Sequence, residues 1–191
     1  MSLEHVLLGM LRDPASGYEL RKEFDSGPRH FWSAELSQIY PTLQKMERRG
    51  WLASRSEASA RGPARRVYRR TPAGKRALRE WLSGPPDVGT ERLAYIGQLV
   101  FLTELRDPDR TLRFLDGLRG HLAACLTELE ASEQALGNEH NSPPERWPDD
   151  AFHELLCVRF GLSALRAKLA TCDECAELVE SRKRHTERDH A

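Results

Sequence analysis

Gln38, Thr42, Lys45 and Arg49 follow one another at spacings of four, three and four residues. This spacing places the four side chains on one face of an α-helix. A glutamine amide can pair with an adenine edge, and a lysine can reach a guanine edge or a phosphate, so this face suits the major groove of DNA. A solvated helix face without a ligand is the alternative interpretation of the same spacing.

The other side of this segment is apolar and predicts how the helix is held. Leu36, Ile39, Leu43 and Met46 recur at spacings of three and four residues. This pattern indicates a helix whose inner face packs on a core. Gly50 then provides a helix stop.

The start of the helix is predicted from Ser37 and Pro41. The amide donor that proline lacks is dispensable only in the first turn of a helix. If Ser37 is the N-cap, Pro41 lies just past that turn. A helix N-terminus carries free N–H groups and a positive dipole, so it favours phosphate. Ser37 and Tyr40 are therefore candidate DNA-binding residues, with packing of the Tyr40 ring as the alternative.

An arginine-rich segment follows the helix. Two polar, strand-like pieces flank Arg61-Gly62-Pro63, which is typical of a turn. Arginine suits phosphate because its planar guanidinium binds two oxygens at once. A recognition-type helix followed by a basic hairpin is the order of a winged helix-turn-helix. The hairpin residues expected to contact DNA are Arg61, Arg65, Arg66 and Arg69.

These motifs resemble the PadR family of transcriptional regulators. The resemblance is carried by Gln38 to Pro41, Glu47 to Leu52 and Val67 to Leu78, and Leu7 to Leu11 and Ser16 to Leu20 fit the same pattern. It is specific over residues 1–82 and looser beyond, where the chain is similar to the longer, VanR-like members with a helical C-terminal domain.

The resemblance implies a mainly α fold, with an N-terminal winged helix-turn-helix that carries a small β-wing and a C-terminal α-helical dimerisation domain. It implies a ligand-responsive repressor that binds double-stranded, palindromic operator DNA and that has no enzymatic activity and no cofactor. The implied effector is a small aromatic or drug-like molecule. The candidate lining residues, chosen for their aromatic rings, are Trp81, Tyr95, Phe101 and Phe160.

The charge distribution agrees with two functional halves. Residues 1–85 hold 16 Lys and Arg against 9 Asp and Glu, whereas residues 86–191 hold 13 against 20. A net charge of +7 suits a polyanion such as DNA, and −7 does not. We therefore predict a DNA-binding domain over 1–85 and a dimerisation and effector domain over 86–191, divided at Ser83 to Pro86.

The C-terminal half shows two long apolar stripes at heptad spacing, one from Leu115 to Leu136 and one from Ala151 to Val179. They predict two antiparallel helices that also pair with a second subunit, so the chain should be a homodimer through these helices. A self-contained three-helix bundle is the alternative. Leu93 to Leu105 predicts a further helix, apolar nearly all round, that is buried within the chain or covered by a partner chain.

The sequence contains few other residues that could form a metal, redox or membrane-binding site. Cys172 and Cys175 form a lone C-x-x-C, and because Cys172 falls on the apolar stripe it is interpreted as a small core residue, so no metal site is expected. A thiol or metal sensor is one alternative function, and a winged-helix protein–protein module without DNA binding is another. The chain has no apolar run near 18 residues and no basic-then-apolar start, so a cytoplasmic protein without membrane contact is expected.

Overall fold

The computed structural model describes residues 3–26, 38–59, 62–89 and 93–189. The chain separates into two compact units, Met1–Thr90 and Glu91–Ala191. The assignment of DNA binding to residues 1–85 and of dimerisation and effector binding to residues 86–191 stays a prediction.

The described part of the first unit combines helices with a small sheet. Its elements in chain order are α1 (Leu3–Met10), β1 (Ala15–Ser16), α2 (Gly17–Ser26), α3 (Ile39–Arg48), β2 (Leu52–Ser59), β3 (Gly62–Arg70) and α4 (Pro72–Leu82).

The sheet is antiparallel, with strand order β1-β3-β2. β2 and β3 form the predicted hairpin, in which Leu52 lies opposite Arg70 and Glu57 opposite Arg65. Its turn at residues 60 and 61 lies outside the described residues. Because side chains alternate between the two faces of a strand, Arg65 and Arg69 lie on one face of β3 and Arg66 lies on the other.

One apolar core joins the four helices that the structure describes in this unit to the sheet. The buried residues of this core are Leu7, Leu8, Leu11, Leu20, Phe24, Ile39, Leu43, Met46, Leu52, Tyr68 and Leu78.

The turn after α3 is fastened to the start of α4. Gly50 has a positive φ of 73°, which glycine adopts without a Cβ penalty. The Thr71 hydroxyl donates to the Gly50 carbonyl (2.6 Å) and accepts from the Gly74 amide (3.1 Å), so it also caps α4. A Cβ at Gly74 would collide with the Trp51 carbonyl oxygen. Close backbone approach therefore requires glycine at this position.

The second unit contains α5 (Ala94–Phe101), a 3₁₀ turn (Leu102–Leu105), α6 (Pro108–His140), a second 3₁₀ turn (Pro144–Arg146) and α7 (Asp149–Asp189). The long helices α6 and α7 form an antiparallel pair. Lys183 binds Asp109 (2.8 Å) at one end of the pair, and Arg159 binds Glu133 (3.0 Å) towards the other.

The apolar stripes of α6 and α7 face each other within one chain. The buried residues of α6 recur every seven positions: Leu115, Leu122, Leu129 and Leu136. Those of α7 are Ala151, Leu155, Val158, Leu162 and Cys172. Antiparallel pairing was expected, and the chain's own helix covers these buried positions. Pairing of α6 and α7 with a second subunit stays a prediction.

α5 differs from the prediction of a helix buried within the chain. None of its residues is buried, so a self-contained three-helix bundle is not formed by the described residues. Its apolar side chains, including Val100 and Phe101, are exposed. None of the helices in the described ranges combines the length and apolar character that spanning a membrane requires.

Candidate nucleic-acid interface

α3 presents one completely buried side and one exposed side. Ile39, Leu43 and Met46 are 0% exposed. Gln38 precedes the helix as its N-cap, makes no capping hydrogen bond with its side chain, and is exposed. With the helix starting at Ile39, Pro41 lies in the first turn, where the absence of an amide donor breaks no helical hydrogen bond.

The four residues predicted from the sequence to face DNA lie together on one side of α3, next to its most exposed surface. They are Gln38, Thr42, Lys45 and Arg49. Thr42 is half-buried, and Lys45 and Arg49 reach towards α1. Each helical residue turns by about 100°, so Gln44 and Arg48 lie opposite Ile39 and Met46. Both are exposed, and Arg48 makes no ion pair with any described residue. Sequence reasoning missed these two residues, although their position relative to the apolar stripe was available.

Tyr40 packs against the first turn of α2. A Cβ at Gly17 would lie 2.5 Å from Cε1 of the Tyr40 ring, so glycine makes room for the ring. The ring remains 45% exposed. Tyr40 therefore combines the packing role with an exposed surface next to a helix N-terminus, where a phosphate is favoured.

The cations at the end of α3 are held by a carboxylate of α1. Glu4 lies 2.9 Å from Lys45 Nζ and 2.7 Å from Arg49 Nη1. The Arg49 guanidinium carbon also lies 5.4 Å from the centroid of the Trp51 ring, a cation–π arrangement. Sequence reasoning had no signal for this contact, since Glu4 and Arg49 are 45 residues apart.

On the hairpin, Arg66 joins the wing to α3. Its Nη2 donates to Glu47 Oε2 (2.8 Å), and its Nε donates to the Ser54 hydroxyl (2.8 Å). The Ser54 hydroxyl in turn donates to Glu47 Oε1 (2.6 Å). Glu47 thus sets the angle between the hairpin and the end of α3.

Arg65, on the other face, joins the wing to α2. It binds Glu57 (3.2 Å) and Glu19 (2.9 Å). The Ser16 amide donates to the same Glu19 carboxylate (2.7 Å), and the Glu19 amide donates to the Ser16 hydroxyl (3.2 Å), which is a capping box at the start of α2. The hydrogen bond from the Ser16 amide is the main reason why the pKa of the Glu19 carboxyl lies below its ordinary value.

Arg69 is exposed and makes no ion pair with any residue in the described ranges. Ser37 and Arg61, also predicted to contact DNA, lie outside the described residues. The hairpin therefore offers Arg69 and the paired Arg65 on one face and Arg66 on the other, so these three described arginines do not lie on one face.

The proposed effector residues differ in their surroundings. Trp81 packs on the core of the first unit and stacks on His5, with ring centroids 5.1 Å apart. In the second unit Tyr95 is half-buried, whereas Phe101 and Phe160 are 70% and 84% exposed. Among the described residues no ring contact joins Tyr95, Phe101 and Phe160. Their role in effector binding stays a prediction.

The four cysteines, Cys125, Cys157, Cys172 and Cys175, are free thiols. Cys172 is buried in the interface of α6 and α7, and burial raises the pKa of its thiol, which disfavours the reactive thiolate. Within the residues that the structure describes, no group of three or more His, Cys, Asp or Glu side chains is placed to hold a metal ion.

Comparison with known proteins identifies the family. Residues 6–80 match the transcriptional regulator PadR-like family. The negative transcriptional regulator PadR of Bacillus subtilis is 30% identical over 136 residues, which are 70% of this chain and 74% of that protein. A probable transcriptional regulator of Mycobacterium tuberculosis is 25% identical over an alignment of 194 positions that covers 96% of this chain and 100% of that protein.

Solved structures show the same fold. The crystal structure of Bacillus subtilis PadR in complex with operator DNA has a TM-score of 0.75 at 24% identity, covering 93% of this chain and 98% of that one. The same protein in complex with p-coumaric acid gives 0.68 at 23% identity, covering 93% and 95%. The predicted fold class, a winged helix-turn-helix with a small β-wing followed by a helical C-terminal region, is confirmed. The chain belongs to the PadR-like family of transcriptional regulators.

Proposed function

We propose that this chain is a dimeric repressor that binds palindromic double-stranded operator DNA, with α3 in the major groove and the β2–β3 hairpin beside it on the sugar-phosphate backbone. The observation that carries the proposal is α3 itself. Its inner side is completely buried, while Gln38, Gln44 and Arg48 are exposed on its outer side. Amides and cations on one short exposed helix suit the donors and acceptors of base edges. The operator complex of the Bacillus subtilis relative supports the same use of this fold.

Dimerisation is supported by the second unit. Four exposed apolar side chains lie within ten residues of α5 and the following turn: Ile96, Val100, Phe101 and Leu105. A stretch of this kind on a regulator suits a second copy of the chain, because two linked recognition helices bind two half-sites with far higher affinity than one. The half-sites should lie about 10 bp apart, or at a multiple of that distance.

Relief by a small aromatic effector is supported by the complex of the Bacillus subtilis relative with p-coumaric acid. Phe101 and Phe160 are the candidate residues of the second unit with the most exposed rings. The effector would act by favouring a dimer whose recognition helices no longer match successive major grooves.

The first experiment measures binding of the chain to labelled duplexes by fluorescence anisotropy. One duplex is the DNA immediately upstream of the gene for this chain, and the other is a random duplex of equal length. Gln38→Ala should weaken binding to the upstream duplex by roughly 1–3 kcal/mol and change binding to random DNA little, because only base contacts distinguish the two. Gln44→Ala tests the second exposed amide of α3 in the same way.

Gln134→Ala, an exposed glutamine of α6, is the matched control and should leave both affinities unchanged. A wild-type chain that shows no preference for any duplex selected from a random library would contradict the proposed function. Equal weakening of both duplexes by Gln38→Ala would mean that Gln38 does not read bases.

A further inference from the structure

Glu4 is a buried acidic residue of α1 that pairs with two cations next to the proposed DNA-binding surface. Its exposed fraction is 8%, and its two carboxylate oxygens bind Lys45 (2.9 Å) and Arg49 (2.7 Å). Both cations belong to the end of α3, the proposed recognition helix, and their side chains are about half exposed. One carboxylate of α1 thus binds two cations that would otherwise be available to DNA.

These ion pairs should persist when DNA approaches. Removing both cations from Glu4 would leave a buried carboxylate without a counter-charge, which is strongly unfavourable. Arg49 is further fixed by its position over the Trp51 ring. In contrast, exposed Arg48 has no acidic partner among the described residues and can turn towards a phosphate freely.

We propose that Glu4 is a positioning residue that sets the sequence-independent part of DNA affinity: it holds Lys45 and Arg49 against α1 and reduces the positive charge that they offer to any phosphate backbone. Sequence-independent affinity comes from phosphate contacts, whereas discrimination comes from base contacts. Damping two cations therefore lowers binding to all DNA while the amides of α3 still read the operator. This inference rests on the proposed DNA-binding function and deepens it.

The direct test is Glu4→Gln, which preserves the shape of the side chain and removes its charge. Because both cations are about half exposed, each pair is weak, and release of the two pairs should tighten binding to a random duplex roughly two- to thirtyfold. The slope of log K against log salt should become steeper by about 0.9 for each additional phosphate that the released cations neutralise. Operator affinity should rise by about the same factor, because phosphate contacts act on every sequence alike.

A double-mutant cycle separates this role from a general effect on folding. In a Lys45→Gln/Arg49→Gln background, Glu4→Gln should change neither the random affinity nor the salt slope, because its effect passes through those two cations. Glu80→Gln removes the same charge from α4, where Glu80 makes no ion pair with a described residue, and should leave the salt slope unchanged. Circular dichroism and thermal melting establish that each variant is folded.

A folded Glu4→Gln variant with the wild-type salt slope, or one whose effect survives in the double-mutant background, would overturn the inference. If Glu4→Gln does not fold, Lys45→Gln alone decides. If Glu4 holds Lys45 away from phosphate, Lys45→Gln should change the salt slope by less than about 0.3. A decrease of about 0.9 would mean that Lys45 fully neutralises a phosphate, and this result would refute the proposal. Failure of the wild-type chain to bind any duplex would instead contradict the proposed function.

Discussion

Phe101 offers the sharpest test of how two copies of this chain associate. It lies at the end of α5, it is 70% exposed, and the apolar Val100 beside it is also exposed. If a second copy covers this stretch, Phe101→Ser should dissociate the dimer without disturbing the fold of either unit, because the ring supports no buried core in the single chain.

The size of the effect follows from the exposed fraction. Complete burial of a Phe side chain contributes about 1.5–3 kcal/mol, so covering the exposed 70% contributes roughly 1–2 kcal/mol. In a symmetric dimer the substitution occurs twice, which gives about 2–4 kcal/mol and a dissociation constant weakened roughly 30- to 1000-fold.

Sedimentation velocity over a wide range of protein concentration measures this shift directly. Val88→Ser, which alters a 90% exposed side chain outside the helices, is the control and should leave the dimer intact. The reasoning is refuted if Phe101→Ser sediments like wild type, or if wild-type chain is monomeric at the concentrations where it binds its operator.

Two further predictions concern the first unit. Gly74→Ala places a Cβ against the Trp51 carbonyl oxygen and should destabilise the unit by roughly 1–3 kcal/mol in chemical denaturation, whereas Gly9→Ala, which meets no atom within 4 Å, should be neutral or slightly stabilising; equal effects would contradict the close approach. Ser16→Ala should cost about 1 kcal/mol near neutral pH, because it removes the hydroxyl that accepts from the Glu19 amide (3.2 Å) and donates to the Glu19 carboxylate (2.8 Å), while the bond from the Ser16 amide remains. Because the pKa of Glu19 is lowered on folding, its contribution is present above the ordinary glutamate pKa of about 4.3 and is lost as pH falls through the lower folded pKa, so denaturation near pH 3 should show a smaller difference between Ser16→Ala and wild type.

The positions of helices and turns in the first unit were predictable because local signals and core formation agree there. Ile39, Leu43 and Met46 were assigned to a buried face by their spacing alone, and all three are completely buried. Gly50 ends the helix with the positive φ that its residue type allows. Thr71 caps α4, and this position was predictable because hydroxyl acceptors are preferred at an N-cap.

Two features of the interface were present in the sequence and were not used. Arg65 and Arg66 are neighbours in a strand, and successive side chains of a strand point to opposite faces. The number of arginines in the hairpin therefore does not show how many of them face DNA together. Ser16 and Glu19 have the spacing of a capping box, which identifies the start of α2 and also explains why Glu19 is fixed in place to receive Arg65.

The spacing of the apolar residues on a helix does not tell which other helix covers them. The spacing around Leu162 predicts a helix with one buried side, but the same spacing serves a second subunit or a helix of the same chain. In the structure Leu162 packs in a core cluster with Leu129, Leu136 and Val158 of its own chain. A charge at Leu162 would therefore open the helix pair itself, and loss of dimer in that variant would say nothing about the surface between subunits.

The net charge of the first unit also does not tell which of its cations are paired with a carboxylate. Residues 1–85 carry a net charge of +7, yet Lys45, Arg49, Arg65 and Arg66 each lie within 3.2 Å of a carboxylate oxygen. Matched charges largely cancel beyond the screening length of about 8 Å at physiological salt, so they attract distant DNA weakly. At contact their remaining N–H donors still point in fixed directions, because each carboxylate holds its cation in place. Such a surface gains more binding free energy from a phosphate in the correct position than from a phosphate that is merely nearby. A regulator needs this difference in order to distinguish one operator from the rest of the genome.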